Sequence, residues 1–292
     1  MITFLLVLRF ASYAMQRSSG APLVVSGHID TAAVQHLSQF DIVALEATPW
    51  AQDVNGAGRA DVPLMLRRFH PGIKLFMYVL AGDQWLPPGF QPQPGDHSGF
   101  RDIYDAVDKS GGWLWGTDSL QWFENYRVNL GNAATVDSLA SVYARLVGTH
   151  LFDGMFLDDC HTSIAWTDGS GSRRLDYQRA GFRSLVAMDS ARSVNVTRLL
   201  KRIHGAGGAG FRVAINGTGP TPKGVDIDFR EGLGSLISVE DATAWMARPG
   251  THWLKAECWD DCLRTGALLK AIARRRGIVS CGPDRGWPPV KP

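Results

Sequence analysis

Along the chain, short apolar runs alternate with longer stretches in which apolar side chains recur every three or four positions. The runs fall at residues 4–8, 41–45, 74–80, 153–157, 211–215, 225–229, 252–256 and 278–280. An apolar run of that length with no helical period predicts a strand buried on both faces, as parallel strands in α/β proteins are. Helical spacing covers residues 31–39, 62–69, 135–149, 176–204, 239–246 and 266–276. Strand alternating with helix predicts parallel pairing through right-handed crossovers. Eight such strands close a (β/α)8 TIM barrel, and the 292-residue chain accommodates one as a single domain over 1–292, since such barrels take about 250 residues.

Two features qualify that pattern. Residues 23–26 offer an alternative first strand, and the helix between the fifth and sixth strands is nearly absent. A doubly wound open sheet is the rival architecture. No glycine-rich phosphate fingerprint follows any strand to favour it, and the glycines between Gly205 and Gly210 precede a strand, so they read as a helix stop.

The connection over residues 81–132, after the third strand, is far longer than the ~4–6 residues usual in such folds. It carries Trp85, Phe90, Phe100, Tyr104, Trp113, Trp115, Trp122, Phe123 and Tyr126, a composition that argues against disorder. We expect this aromatic-rich loop to fold over the barrel mouth. A second, more polar excursion over 161–174 contains Trp166 and Gly169-Ser170-Gly171.

Composition narrows the partners. With 45% hydrophobic and 20% charged residues the chain can bury a large core, and a net charge of +2 with neither half strongly basic gives no reason to expect nucleic acid. Arg274-Arg275-Arg276 ends a predicted helix, where cations complement the dipole. No stretch approaches the ~20 apolar residues needed to cross a bilayer, so no membrane partner is expected. Residues 1–8 resemble a signal peptide but lack a basic start and meet Arg9 at once, so a first strand is the preferred reading. Cys160, Cys258, Cys262 and Cys281 show neither zinc-knuckle nor redox spacing, which leaves the compartment open. The sequence leaves the oligomeric state open as well.

The chemistry concentrates at strand ends, where parallel α/β sheets bind their ligands. Asp158 and Asp159 follow the fourth strand, Glu231 the sixth and Glu257 the seventh. Glycoside hydrolysis needs two carboxyl groups facing each other across the scissile bond, one as proton donor and one as nucleophile or base. Trp85, Trp113, Trp115, Trp166 and Trp259 fall on loops at the same side, where flat rings with a polar edge suit the apolar faces of sugars. Tyr78, Arg127 and Asn216 stand where they can bind substrate or orient a carboxylate.

The combination Trp122…Arg127-Val128-Asn129-Leu130, a helix, then Phe152-Asp153-Gly154-Met155-Phe156-Leu157-Asp158-Asp159 resembles the glycosyl hydrolases of the hypothetical family-15 group. These are similar to endo-α-1,4-polygalactosaminidase-like barrels and, more distantly, to the α-galactosidase superfamily. Arg9-Phe10 and Phe40-Asp41-Ile42-Val43-Ala44-Leu45 look like that group's early strands. The resemblance implies a (β/α)8 barrel acting on carbohydrate, with an aspartate at the fourth strand as nucleophile or base and a carboxylate near the sixth as acid. Asp158 matches the first role and Glu231 the second.

Each residue also has a structural alternative. Asp158 or Asp159 can cap the following segment or pair with Arg127, Glu257 can form a buried ion pair with Lys255, and Asn216 can shape the turn at Gly217. His161 invites a metal reading with Asp158 and Asp159, but no His-x-His pair or His-Glu-x-x-His supports it, and no Gly-x-Ser-x-Gly ends a strand. The expectation is therefore a cofactor-free glycoside hydrolase without metal. A non-catalytic carbohydrate-binding protein on the same scaffold is the alternative, and a metal-dependent hydrolase ranks third.

Overall fold

The computed structural model describes residues 23–25, 34–35, 37–46, 61–84, 98–116, 121–122, 125–164, 175–217, 219–233, 238–256 and 277–281. In chain order its strands are β1 (Leu23–Val25), β2 (Ile42–Glu46), β3 (Lys74–Leu80), β4 (Asp83–Gln84), β5 (Gln121–Trp122) and β6 (Asn125–Arg127). They continue with β7 (Gly154–Asp158), β8 (Arg212–Asn216), β9 (Ile227–Leu233), β10 (Thr251–Ala256) and β11 (Gly277–Cys281). The helices are α1 (Asp61–Phe69), α2 (Ser98–Lys109), α3 (Ala133–Val147), α4 (Leu185–Gly207) and α5 (Val239–Met246). None of the described helices is long and apolar enough to cross a membrane.

Eight strands form one sheet in the order β1-β2-β3-β7-β8-β9-β10-β11, and every pair is parallel. The sheet is curled. Four strand spacings separate β3 from β10, about 19 Å if the sheet were flat, yet the Phe76 and Trp253 rings meet edge to face at 5.1 Å between centroids. That contact crosses the concave side, which also holds Ala44, Phe156, Ala214, Ile227 and Phe229. Phe156 packs on Phe229 at 4.9 Å and under Tyr78 at 5.6 Å. Alternate residues, including Val43, Leu45, Leu75, Met77, Met155, Leu157, Val213 and Ile215, bury against Leu66 of α1, Leu139 and Tyr143 of α3, and Leu199 and Ile203 of α4. Strands with both faces covered need apolar residues at every position, which is why they read as runs. Among the described residues β1 and β11 do not pair, so the sheet is an open, part-closed barrel.

Seven of the eight expected strands stand where the pattern put them, within two residues at their starts. The exception is the first, because the place beside β2 is taken by Leu23–Val25, the alternative, while residues 4–8 lie outside the described residues. The expected helix over 176–204 starts later: Ser184 accepts from the Ala187 amide and caps α4, and the preceding residues turn at Gly181, with φ 86°. Gly208, with φ 73°, ends α4 as a helix stop should. Among the described residues between β8 and β9 no helix intervenes, in line with the nearly absent helix expected there. The helical pattern at 31–39 is described only in part, with Val34 and Leu37 buried, and that at 266–276, including the arginine run, lies outside the described residues.

Within the long connection, expected as loop, β4, β6 and β5 form a small antiparallel sheet, and α2 docks on α3 through Arg145 and Asp102 at 2.9 Å. Tyr104, Trp113 and Tyr126 stack in sequence at 5.4 and 6.5 Å. Trp113 is buried and donates from Nε1 to Asp108 Oδ1 at 2.9 Å. It is part of the insertion's own packing rather than a stacking surface at the mouth.

Carboxylates brace the opposite end of the sheet. Asp153, just ahead of β7, accepts from the Leu75 amide and from Arg67; Asp226, just ahead of β9, accepts from the Val213 amide and from Arg212. Each aspartate ties the start of its neighbour strand to a cation.

Gly154 stands opposite Phe76 in the β3–β7 ladder, and a Cβ there would overlap the Phe76 ring and the Arg212 carbonyl. Gly154→Ala is expected to cost about 1–3 kcal/mol, as overpacking does, whereas Gly205→Ala in α4, where the added methyl meets nothing within 4 Å, should be neutral or gain up to about 1 kcal/mol. Urea denaturation midpoints of the two variants check both.

Candidate active site

Asp158 is the last residue of β7 and has the same parity as Phe156, so its carboxylate stands at the rim of the concave side. The strands on either side hold it. Tyr78 of β3 donates its hydroxyl to Oδ2 at 2.5 Å, and Asn216 at the end of β8 donates from Nδ2 to Oδ1 at 2.9 Å. The Asp159 amide adds a third donor to Oδ1 at 3.0 Å. Donors converging on both oxygens from two neighbouring strands fix the carboxylate's direction and suit a charged acceptor.

The chain turns sharply after Asp158. Asp159 adopts φ 51°, a left-handed conformation that costs an L residue roughly 1–2 kcal/mol, and the His161 amide closes a tight turn onto the Asp159 carbonyl at 2.8 Å. Two glycines allow neighbouring loops to press against this turn. A Cβ at Gly82 would overlap the Asp159 carbonyl oxygen, and one at Gly217 would lie 2.6 Å from the Cys160 carbonyl oxygen. The Ala81 amide also donates to Asp158 O at 2.9 Å and Cys160 N to Asn216 O at 2.8 Å. The ends of β3, β7 and β8 are thus drawn together around one carboxylate.

Beside it lies a charged cluster. Arg127 pairs with Asp83, Nε lying 3.1 Å from Oδ1 and Nη2 donating to Oδ2 at 3.3 Å, with both side chains nearly fully buried. Burial pushes the Asp83 carboxyl above its ordinary value; Arg127 and His161 oppose that and Asp159 adds to it. His161 Nε2 lies 3.3 Å from Asp159 Oδ1, so the second aspartate of the motif has a neighbour different from the first. Beneath the turn, Cys160 is fully buried, and burial pushes its thiol up to about 12. Burial also pulls Arg192 of α4 down to about 10, which leaves it charged near neutrality.

The structure therefore brings together Tyr78, Asp158, Asp159 and Asn216 of the expected site, and pairs Arg127, expected to bind substrate or orient a carboxylate, with the Asp83 carboxylate. Trp115 has one face covered by the Arg179 guanidinium, 3.5 Å from the ring centroid. Glu231 lies on β9 two residues beyond the inward-facing Phe229. Trp85, Trp166, Glu257 and Trp259 lie outside the described residues. Asp83 and Arg192 were missed. The position of Asp83 just past a strand end, after Gly82, was a legible signal; nothing local to the helix distinguished Arg192 from a surface arginine.

No protein-family profile matches this sequence, and no curated protein matches it. Solved structures do resemble it. A cycloisomaltooligosaccharide glucanotransferase from Paenibacillus sp., solved with cycloisomaltoheptaose, superposes with a TM-score of 0.51 at 12% identity over 83% of this chain and 39% of its own. An alpha-galactosidase from Lactobacillus brevis gives a TM-score of 0.51 at 10% identity over 93% of this chain and 39% of its own. The likeness is one of fold. This chain spans about two-fifths of the length of either protein.

Thiol chemistry tests the buried turn. In native protein at pH 8, iodoacetamide is expected to alkylate Cys160 at least about tenfold more slowly than in denaturant, since only the thiolate reacts and the site excludes both reagent and charge. Peptide mapping reads the label, and equal rates would place Cys160 at the surface.

Proposed function

We propose that this protein is a glycoside hydrolase that cleaves O-glycosidic bonds of an oligo- or polysaccharide at the carboxyl end of a (β/α)8-type barrel, on a single domain and without a cofactor. The observation that carries this reading is the Asp158 carboxylate, aimed from the end of β7 and held by Tyr78 and Asn216 from both neighbouring strands. The fold likeness to a glucanotransferase and an alpha-galactosidase supports it.

In the proposed mechanism Asp158 attacks the anomeric carbon or activates a water, while Glu231 protonates the departing oxygen, so charge developing on the sugar ring is met by an oriented carboxylate. Tyr78 and Asn216 keep Asp158 in place without competing for the carbon. Asp159 and Glu257 are the reserve carboxylates, and Trp85, Trp115 and Trp259 are the proposed carbohydrate contacts. A carboxyl separation of about 5–5.5 Å would make the enzyme retaining, and ~6.5–9.5 Å inverting.

A panel of 4-nitrophenyl glycosides and soluble polysaccharides, read by released nitrophenol and reducing ends, tests this directly. Asp158→Asn and Glu231→Gln should each reduce kcat/KM by at least about 10³-fold with unchanged far-UV dichroism, as expected for groups acting on the reacting atoms. Full activity in either variant removes that residue from the mechanism. If wild-type protein retains an oligosaccharide intact after prolonged incubation, the protein binds carbohydrate without cleaving it.

A further inference from the structure

Helix α4 carries a polar stripe on a face that packs inward. Asp189, Arg192 and Asn195 recur every three residues, and Arg192 is completely buried while Asn195 is nearly so. A stripe at this spacing lies along one side of a helix, yet it is flanked by the buried Met188, Val196 and Leu199, so it does not face water.

Each member reaches out of the helix to a loop at the site. Asp189 accepts from the Ser163 hydroxyl at 2.5 Å and from the Ile164 amide at 2.9 Å. Arg192 donates from Nε to the His161 carbonyl at 3.2 Å and from Nη1 to the Val128 carbonyl at 3.0 Å. Asn195 donates from Nδ2 to the Gly131 carbonyl at 2.8 Å. These bonds go to two segments: residues 161–164, which follow Asp158, and residues 128–131, which follow Arg127. Those segments already meet at Gly82, whose carbonyl accepts from the Val128 amide and whose missing side chain admits the Asp159 carbonyl.

Arg192 makes no ion pair among the described residues. A charge whose hydrogen bonds go to carbonyls, with the Asp189 and Asp83 carboxylates acting only through their fields, is an expensive way to fill space, since an apolar side chain of that volume would pack without losing hydration. A planar guanidinium that donates in two directions at fixed angles does what an apolar side chain cannot, which is to set two carbonyls from remote segments at one spacing.

We propose that Asp189, Arg192 and Asn195 form a positioning clamp that sets the turn after Asp158, and with it the direction of the Asp158 carboxylate and the Asp159–His161 pair, against the Arg127–Asp83 pair. The three residues touch no substrate in this scheme; they act through backbone. The inference about catalysis rests on the glycosidase reading, whereas the inference about the turn does not.

The test uses the full chain and the variants Arg192→Met, Arg192→Lys and Asn195→Ala, with amide hydrogen exchange as the first readout. Exchange at Cys160, His161 and Ile164 should speed by at least about tenfold in Arg192→Met and Arg192→Lys, while Met155, Phe156 and Leu157 of β7 change by less than about twofold, as for a local opening. Asn195→Ala, the milder change, should speed exchange near Gly131 and keep the fold if Arg192→Met does not. Uniform acceleration along β7, or none at the turn, overturns the clamp. On whichever glycoside the wild type cleaves, Arg192→Lys should lower kcat about 10-fold or more with KM within about threefold, the mark of lost positioning rather than lost binding. Localised exchange without turnover of any glycoside by the wild type would retain the clamp and remove only the glycosidase reading; localised exchange with undiminished kcat would overturn its role in catalysis.

Discussion

The close approach of β3 and β7 at their carboxyl ends governs the candidate site. It is possible only because residue 82 has no side chain, so the Asp159 carbonyl can occupy the space a Cβ would need. From that contact follow the positions of Tyr78 beside Asp158, of the Asp83–Arg127 pair beside Asp159 and His161, and of the Val128 segment against Gly82. Gly217 repeats the device on the other side, letting the end of β8 bring Asn216 to the same carboxylate. Two glycines thus convert three parallel strand ends into one polar centre.

The two ends of the sheet use carboxylates in opposite ways. At the start of the strands Asp153 and Asp226 are spent on neighbouring amides and cations, which fixes strand register. At the other end Asp158 accepts from a phenol and an amide on the two neighbouring strands, which orient it. Beside it, Arg127 is engaged by Asp83. The cost is a buried ion pair and a buried guanidinium in Arg192. Such groups add little to stability, because desolvation offsets most of their Coulombic gain.

Much of the fold was legible because strands buried on both faces must be apolar through their middle, and the runs at β2, β3, β7 and β8 have that character, whereas β9 alternates Ile227 and Phe229 with Asp228 and Arg230. The first strand was not. Residues 4–8 and Leu23–Val25 are both short apolar runs, and only pairing with β2 distinguishes them. Helix α2 leaves a weak mark because its buried residues, Ile103, Tyr104 and Val107, sit in a connection whose aromatic side chains suit ligand stacking as well as packing; Trp113 and Tyr104 pack on each other. The start of α4 was misplaced because the periodicity before Ser184 continues through a turn that the serine cap ends.

By itself the sequence determined the alternation of strand and helix, the placement of Asp158 at a strand end, and the glycines that permit close backbone contacts, since these depend on local residue type and spacing. Tertiary structure alone decided which groups meet Asp158, that Arg127 belongs to Asp83, and that an arginine in the middle of α4 lies buried beneath the turn. Those facts depend on pairs separated by 44 to 80 residues, and hydrogen bonding between such pairs leaves no periodic mark in either partner's neighbourhood. The curl of the sheet is of the same kind: the contact between Phe76 and Trp253 arises from the summed twist of the strands between them, which no single strand's sequence specifies.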